Sequence, residues 1–93
     1  MEHETFHIVV MNIADPERRR RVRRILRYFG EAVNRDTYEV PRAGELRHLK
    51  AALRHELAAG DDLRIYPVCA RCRSCVQIFG DGELATMDVA FVF

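Results

Sequence analysis

A chain of 93 residues with 48% apolar side chains, 15 Lys and Arg against 14 Asp and Glu, and no Trp has room for one domain and one modest core. The apolar fraction excludes wholesale disorder, and no apolar run approaches the roughly 18 residues that a membrane span requires. The opening Glu2-His3-Glu4 lacks the cationic start of a secretory leader, so a cytoplasmic protein with no membrane partner is expected.

Residues 6–12 are β-branched and apolar and read as a buried strand. Asp15 then stands as a helix N-cap, Pro16 fits the first helical position, and Glu17 complements the positive end of the dipole. This helix runs to about Phe29 and stops at Gly30, which can take the left-handed conformation of a helix end. Val22, Ile25, Leu26 and Phe29 follow core-facing spacing, while Arg20, Arg23, Arg24 and Arg27 fall on the opposite, solvent side. Arg18 lies near the apolar azimuth but in the first turn, leaning toward the end of the first strand. Residues 32–40 are strand-like, with Asn34-Arg35-Asp36 able to split them in two, and Pro41 closes the segment. Leu46, Leu49, Leu53 and Leu57 form the stripe of a second helix, poorly capped at Arg42 and ending at Gly60. Residues 62–68 are a further strand, with Pro67 marking its end or a sheet edge. After a Cys-containing loop, residues 76–79 lead through Gly80-Asp81-Gly82 into a last strand over 85–93. Met87, Val89, Phe91 and Phe93 line one face of that strand, and Ala90 and Val92 make the other nearly apolar, so it calls for another sheet or another subunit. The alternation predicts an α+β sandwich with two helices on one face of a mostly antiparallel sheet.

The net charge of +1 conceals an uneven distribution. Arg18, Arg19, Arg20, Arg21, Arg23, Arg24 and Arg27 stand in one stretch against only Asp15 and Glu17. A solvated helix face would serve as an ordinary explanation, but such faces mix in Lys and Glu. Arg alone offers paired donors to phosphate oxygens, so contact with a nucleic-acid backbone is the stronger reading. Phe6, Phe29, Phe79, Phe91 and Phe93 sit on core-type positions, which leaves no stacking platform for single strands.

Cys69, Cys72 and Cys75 form a C-x2-C-x2-C run. A closed zinc or iron–sulfur site needs a fourth ligand that no Cys remains to supply, and His7 or His48 would have to fold close. Zinc is therefore not expected; reduced thiols on a loop are, with Cys69 and Cys72 able to pair on handling. His48 and His55 lie two turns apart, roughly 10 Å by helical rise, too far to share an ion. A metal-dependent nuclease places carboxylates at strand ends, yet the first strand ends in Asn12, and Asp15 is better explained as the cap. Asp36, Glu39, Asp61 and Asp62 show no pairing in sequence, and no phosphate-loop or nucleophile-elbow pattern occurs.

Taken in order, Val10-Met11-Asn12-Ile13, the Arg-rich helix from Asp15, Gly30-Glu31-Ala32-Val33, and Arg64-Ile65-Tyr66-Pro67-Val68-Cys69 with Cys72 resemble the small CRISPR-associated Cas2 family over nearly the whole chain. The resemblance implies a ferredoxin-like fold and a homodimer in which segment 85–93, with Met87, Val89, Phe91 and Phe93, completes the partner's sheet. It also implies a role in CRISPR adaptation, with the dimer bridging the integrase and holding the phosphate backbone of a protospacer duplex. Arg18, Arg19, Arg20, Arg23, Arg24 and Arg27 would make those contacts. Family members are assigned Mg2+-dependent ribonuclease or deoxyribonuclease activity, attributed to an Asp at the end of the first strand. Here that position is Asn12, the candidate metal ligand; Asp15, three residues on, and Asp36, which stands where the family more often has Ser, are the other catalytic candidates that the resemblance leaves. Losing the charge from both halves of a symmetric pair predicts weak or absent cleavage and a structural role. The alternatives are an active Mg2+-dependent endoribonuclease, CRISPR-associated or toxin-like, and an interaction module whose Cys loop binds metal.

Overall fold

The computed structural model describes residues 6–41 and 45–85. Strand β1 (Phe6–Asn12) is followed by helix α1 (Pro16–Phe29), the short strands β2 (Glu31–Ala32) and β3 (Thr37–Val40), helix α2 (Leu46–Glu56), strand β4 (Asp62–Val68) and a single helical turn, α3 (Ala70–Arg73). The sheet order is β2-β3-β1-β4 and every neighbouring pair is antiparallel. β1 and β2 are thus parallel with β3 between them, and β3 and β4 are parallel with β1 between them. Two interleaved β-α-β units of this kind make the ferredoxin-like α+β fold expected from sequence.

Register follows from alternation along β1. Val9 and Met11 face α1 and α2, opposite Tyr38 of β3 and Ile65 and Leu63 of β4. They pack with Val22 and Leu26 of α1 and Leu49 and Leu53 of α2, while Ile25 and Phe29 complete the predicted α1 stripe at its margin. Ile8, Val10 and Asn12 point the other way, across from Tyr66, Arg64 and Asp62. No helix among the described residues is long and apolar enough to cross a membrane.

Several boundaries have physical causes that lie outside the local pattern. Asp15 caps α1 as expected, its carboxylate accepting from the Arg18 N–H at 2.8 Å. Gly30 ends α1 but is not left-handed; at φ −156° and ψ −161° its backbone is extended. Its glycine identity answers to β3 instead, because a Cβ there would stand 2.3 Å from the Glu39 carbonyl oxygen. The interruption at Asn34-Arg35-Asp36 does split the strand, through a turn in which the Asp36 N–H donates to Asn34 Oδ1 at 2.9 Å. Helix α2 stops at Glu56, short of Gly60, and Gly60 (φ +93°) serves the turn into β4. Pro67 is tolerated because β4 is a sheet edge. The Cys-containing segment is the helical turn α3 rather than an irregular loop. Residues 76–79 form no strand, and Phe79, expected in the core, is 89% exposed, since among the described residues no element packs over it. Within the expected terminal strand only Ala85 is described; Met87, Val89, Phe91 and Phe93 lie outside the described residues. Ala85 is buried, its N–H donating to Glu39 Oε1 at 2.8 Å and its carbonyl accepting from Arg73.

Candidate nucleic-acid interface

The arginines of α1 share a helix but not an environment. Arg18 reaches the end of β1 as its azimuth implied: it meets Asp61, which directly precedes the Asp62 paired with Asn12. The Asp61 side chain is only 4% exposed, also accepts from the Ala58 N–H, and is held below the usual carboxylate range first by Arg18 and then by that backbone bond. Arg21 crosses to Glu56 of α2 at 2.8 Å, and Arg20 pairs with Glu17 one turn back. Arg18 and Arg21 thus tie α1 to its surroundings, whereas the Arg20–Glu17 pair is exposed and lies within the helix.

Arg19 and Arg23 turn toward the end of β1. Arg19 Nη1 donates to the carbonyls of Ile13 and Ala14 at 2.9 and 3.2 Å. Arg23 Nε donates to the Arg35 carbonyl at 3.0 Å, and its Nη2 lies 3.6 Å from Asp36 Oδ1. Only 18% of the Arg23 side chain is exposed, so Arg23 does not stand on the open solvent side as expected but is held in place by the hairpin turn. Met11 N–H donates to the Asp36 carbonyl at 3.0 Å, which fastens the β2–β3 turn against β1.

A cavity of about 290 Å³ results, lined by Asn12, Ile13, Arg19, Arg23, Arg35 and Asp36. A second of about 280 Å³ adjoins it and is lined by Arg23, Arg27, Ala32, Asn34, Arg35 and Tyr38. The fold therefore brings Asn12 and Asp36 together, as well as Arg19, Arg23 and Arg27. Asp15 lines neither cavity, its carboxylate being used at the helix cap. Arg24 is exposed on the same helix. Arg35 enters from the hairpin turn and borders both cavities. It escaped the sequence reading because its neighbours mark it only as an interruption; the basic residue inside a turn signal was the available clue.

The donor set decides what such a site can hold. Magnesium favours carboxylate oxygens, and two per site are common. Here the cavity is lined by Asn12 and a single carboxylate residue, Asp36, beside Arg19, Arg23 and Arg35, and the Asp36 carboxylate already lies 3.6 Å from Arg23. Within one chain a single carboxylate paired to an arginine is a poor donor set for Mg2+, whereas guanidinium groups offer an oxyanion charge and paired donors. Cys69, Cys72 and Cys75 are all exposed on or beside α3, as are His48 and His55 on α2. Among the described residues no group of three or more His, Cys, Asp and Glu is placed to hold a metal ion.

The face of the sheet away from the helices is partly apolar. Val10 is 36% and Tyr66 48% exposed there, beside Ile8 and Thr37.

A family model described as CRISPR associated protein Cas2 matches residues 5–76. The chain is 33% identical over 82 residues to the CRISPR-associated endoribonuclease Cas2 1 of Chloroflexus aurantiacus, spanning 83% of this chain and 86% of that one. Among solved structures it is similar to the hypothetical protein TT1823 of Thermus thermophilus, with a TM-score of 0.71 and 31% identity over 87% of this chain and 96% of that one. A second solved structure, of a Cas2 protein, shares the fold with a TM-score of 0.62 and 22% identity, over 81% of this chain and 97% of that one.

Proposed function

The chain belongs to the CRISPR-associated protein Cas2 family, and from that membership we propose that it serves CRISPR spacer acquisition as a homodimer that bridges the integrase and grips duplex DNA through its phosphates. The observation that carries this reading is the cavity where Asn12 and Asp36 meet Arg19, Arg23 and Arg35. Where a metal-dependent nuclease concentrates negative charge, this chain concentrates positive charge. A backbone phosphate satisfies those guanidinium groups without a cation, and Arg24 and Arg27 extend the positive surface along α1.

Dimer formation is supported by the partly apolar sheet face at Ile8, Val10 and Tyr66. Segment 85–93, apolar on one face and nearly so on the other in sequence, would add a strand to the partner's sheet.

The second reading is an active Mg2+-dependent endoribonuclease. It is favoured by the printed name of the Chloroflexus relative and by Asp36, a carboxylate beside Asn12. Incubation of single-stranded RNA and duplex DNA with Mg2+ or Mn2+ separates the two. The proposal expects little cleavage by the native protein and a gain in Asn12→Asp. Robust native cleavage that is abolished by Asp36→Asn would establish the nuclease reading instead.

A further inference from the structure

The phosphate site leaves unexplained the thiols that follow β4. Cys69 closes the strand with an extended backbone (φ −70°, ψ 167°), and its Sγ accepts from the Cys72 N–H at 3.5 Å. The Cys72 thiol is itself within hydrogen-bonding reach of that sulfur. Positions three apart on a helical turn have Cα atoms about 5 Å apart, within the usual span of a disulfide. Both residues are exposed, and no metal-holding group of three or more His, Cys, Asp and Glu exists among the described residues. The Cys72 N–H is thus turned toward the Cys69 sulfur, with its thiol on the same turn.

We propose that Cys69 and Cys72 form a thiol–disulfide exchange site that reacts with low-molecular-weight disulfides of the glutathione type. The two thiols are unequal. Hydrogen bonds from the Cys72 backbone and thiol hold Cys69 below the ordinary thiol range, and the same contact pushes Cys72 up. Cys69, its proton lost to solvent, attacks one sulfur of glutathione disulfide; that S–S bond breaks, a mixed disulfide forms and one glutathione thiolate leaves. Cys72 then loses its proton and attacks the Cys69 sulfur, expelling the second glutathione thiolate. The protein loses two electrons as Cys69–Cys72 forms, and one glutathione disulfide becomes two thiols. The turn so closed also carries Arg73, whose guanidinium lies 5.1 Å over the Phe6 ring and donates to the Ala85 carbonyl.

The test equilibrates the whole protein with mixtures of reduced and oxidised glutathione, quenches with acid, alkylates the remaining thiols and reads intact and peptide masses. The expected result is loss of two alkylatable thiols per chain, with Cys75 still alkylated and Cys69 joined to Cys72. Cys72→Ser should stop at a glutathione adduct on Cys69, and Cys69→Ser should react more slowly than native protein. Cys75→Ser should behave as native. Linkage through Cys75, disulfides between chains, no intramolecular bond at any ratio, or equal reactivity in Cys69→Ser would each overturn the proposal.

Discussion

Arg18 and Asp61 form a forked ion pair, Nε to Oδ2 at 2.7 Å and Nη2 to Oδ1 at 3.2 Å, joining the first turn of α1 to the chain just before β4. Removing either partner strands the other, and Asp61 is the more enclosed. Asp61→Asn is therefore expected to lower the thermal midpoint more than Glu17→Gln, which breaks only the exposed pair with Arg20. The Asp61 carboxyl is depressed in the folded state from a reference of 3.8, so the unfolded chain takes up its proton first. Its contribution is complete above that reference and disappears as pH falls through the lower folded value, a loss that Asp61→Asn should not show in acid titrations of stability.

His7 predicts sensitivity in a milder range. It is 5% exposed, its Nδ1 has no partner among the described residues, and burial first and Lys50 second hold its affinity for a proton below the reference value of 6.5. The unfolded chain binds the proton more readily, so stability should decline as pH drops below about 6.5. Unfolding midpoints at several pH values, compared with His7→Leu, should show that part of the decline vanish in the variant.

Gly30→Ala separates two explanations of a helix-ending glycine. A left-handed position would suffer only modest backbone strain, whereas here the added methyl meets the Glu39 carbonyl at 2.3 Å. Because that neighbour is backbone, the expected cost is about 2–4 kcal/mol in chemical denaturation.

Arg35→Ala should weaken duplex binding without lowering the thermal midpoint, since its exposed side chain borders both cavities and supports no core contact. Arg21→Ala should do the reverse, because its guanidinium is engaged with Glu56 across the helices. Paired melting and binding measurements on these two variants check the division between arginines that build the fold and arginines that face the ligand.

What was legible in the sequence is what local chemistry dictates. The β-branched apolar run Phe6–Asn12, the strand pattern of Asp62–Val68 and the Asp15-Pro16 start of α1 placed those elements where they stand. The Val22 and Leu26 stripe likewise turned the right face of α1 inward. What stayed hidden depends on segments far apart in the chain. Gly30 is constrained by β3, Arg35 borders the cavities only because the hairpin turn is fastened to Met11, and Phe79 is apolar with no surface among the described residues to cover it. Asn12 was legible as a missing charge, but that Arg19, Arg23 and Arg35 line a cavity with it required the fold.

The most direct test of the central claim is duplex binding by fluorescence anisotropy in a chelating buffer, between about 50 and 200 mM KCl, for native protein and for Arg24, Arg27 and Arg35 each changed to Glu. The account predicts that native binding persists without divalent cations and falls steeply with salt. Each variant should bind more weakly, with the logarithmic salt slope reduced by about 0.9 per lost phosphate contact. Binding that needs Mg2+, or that survives all three reversals with its salt slope unchanged, would contradict it.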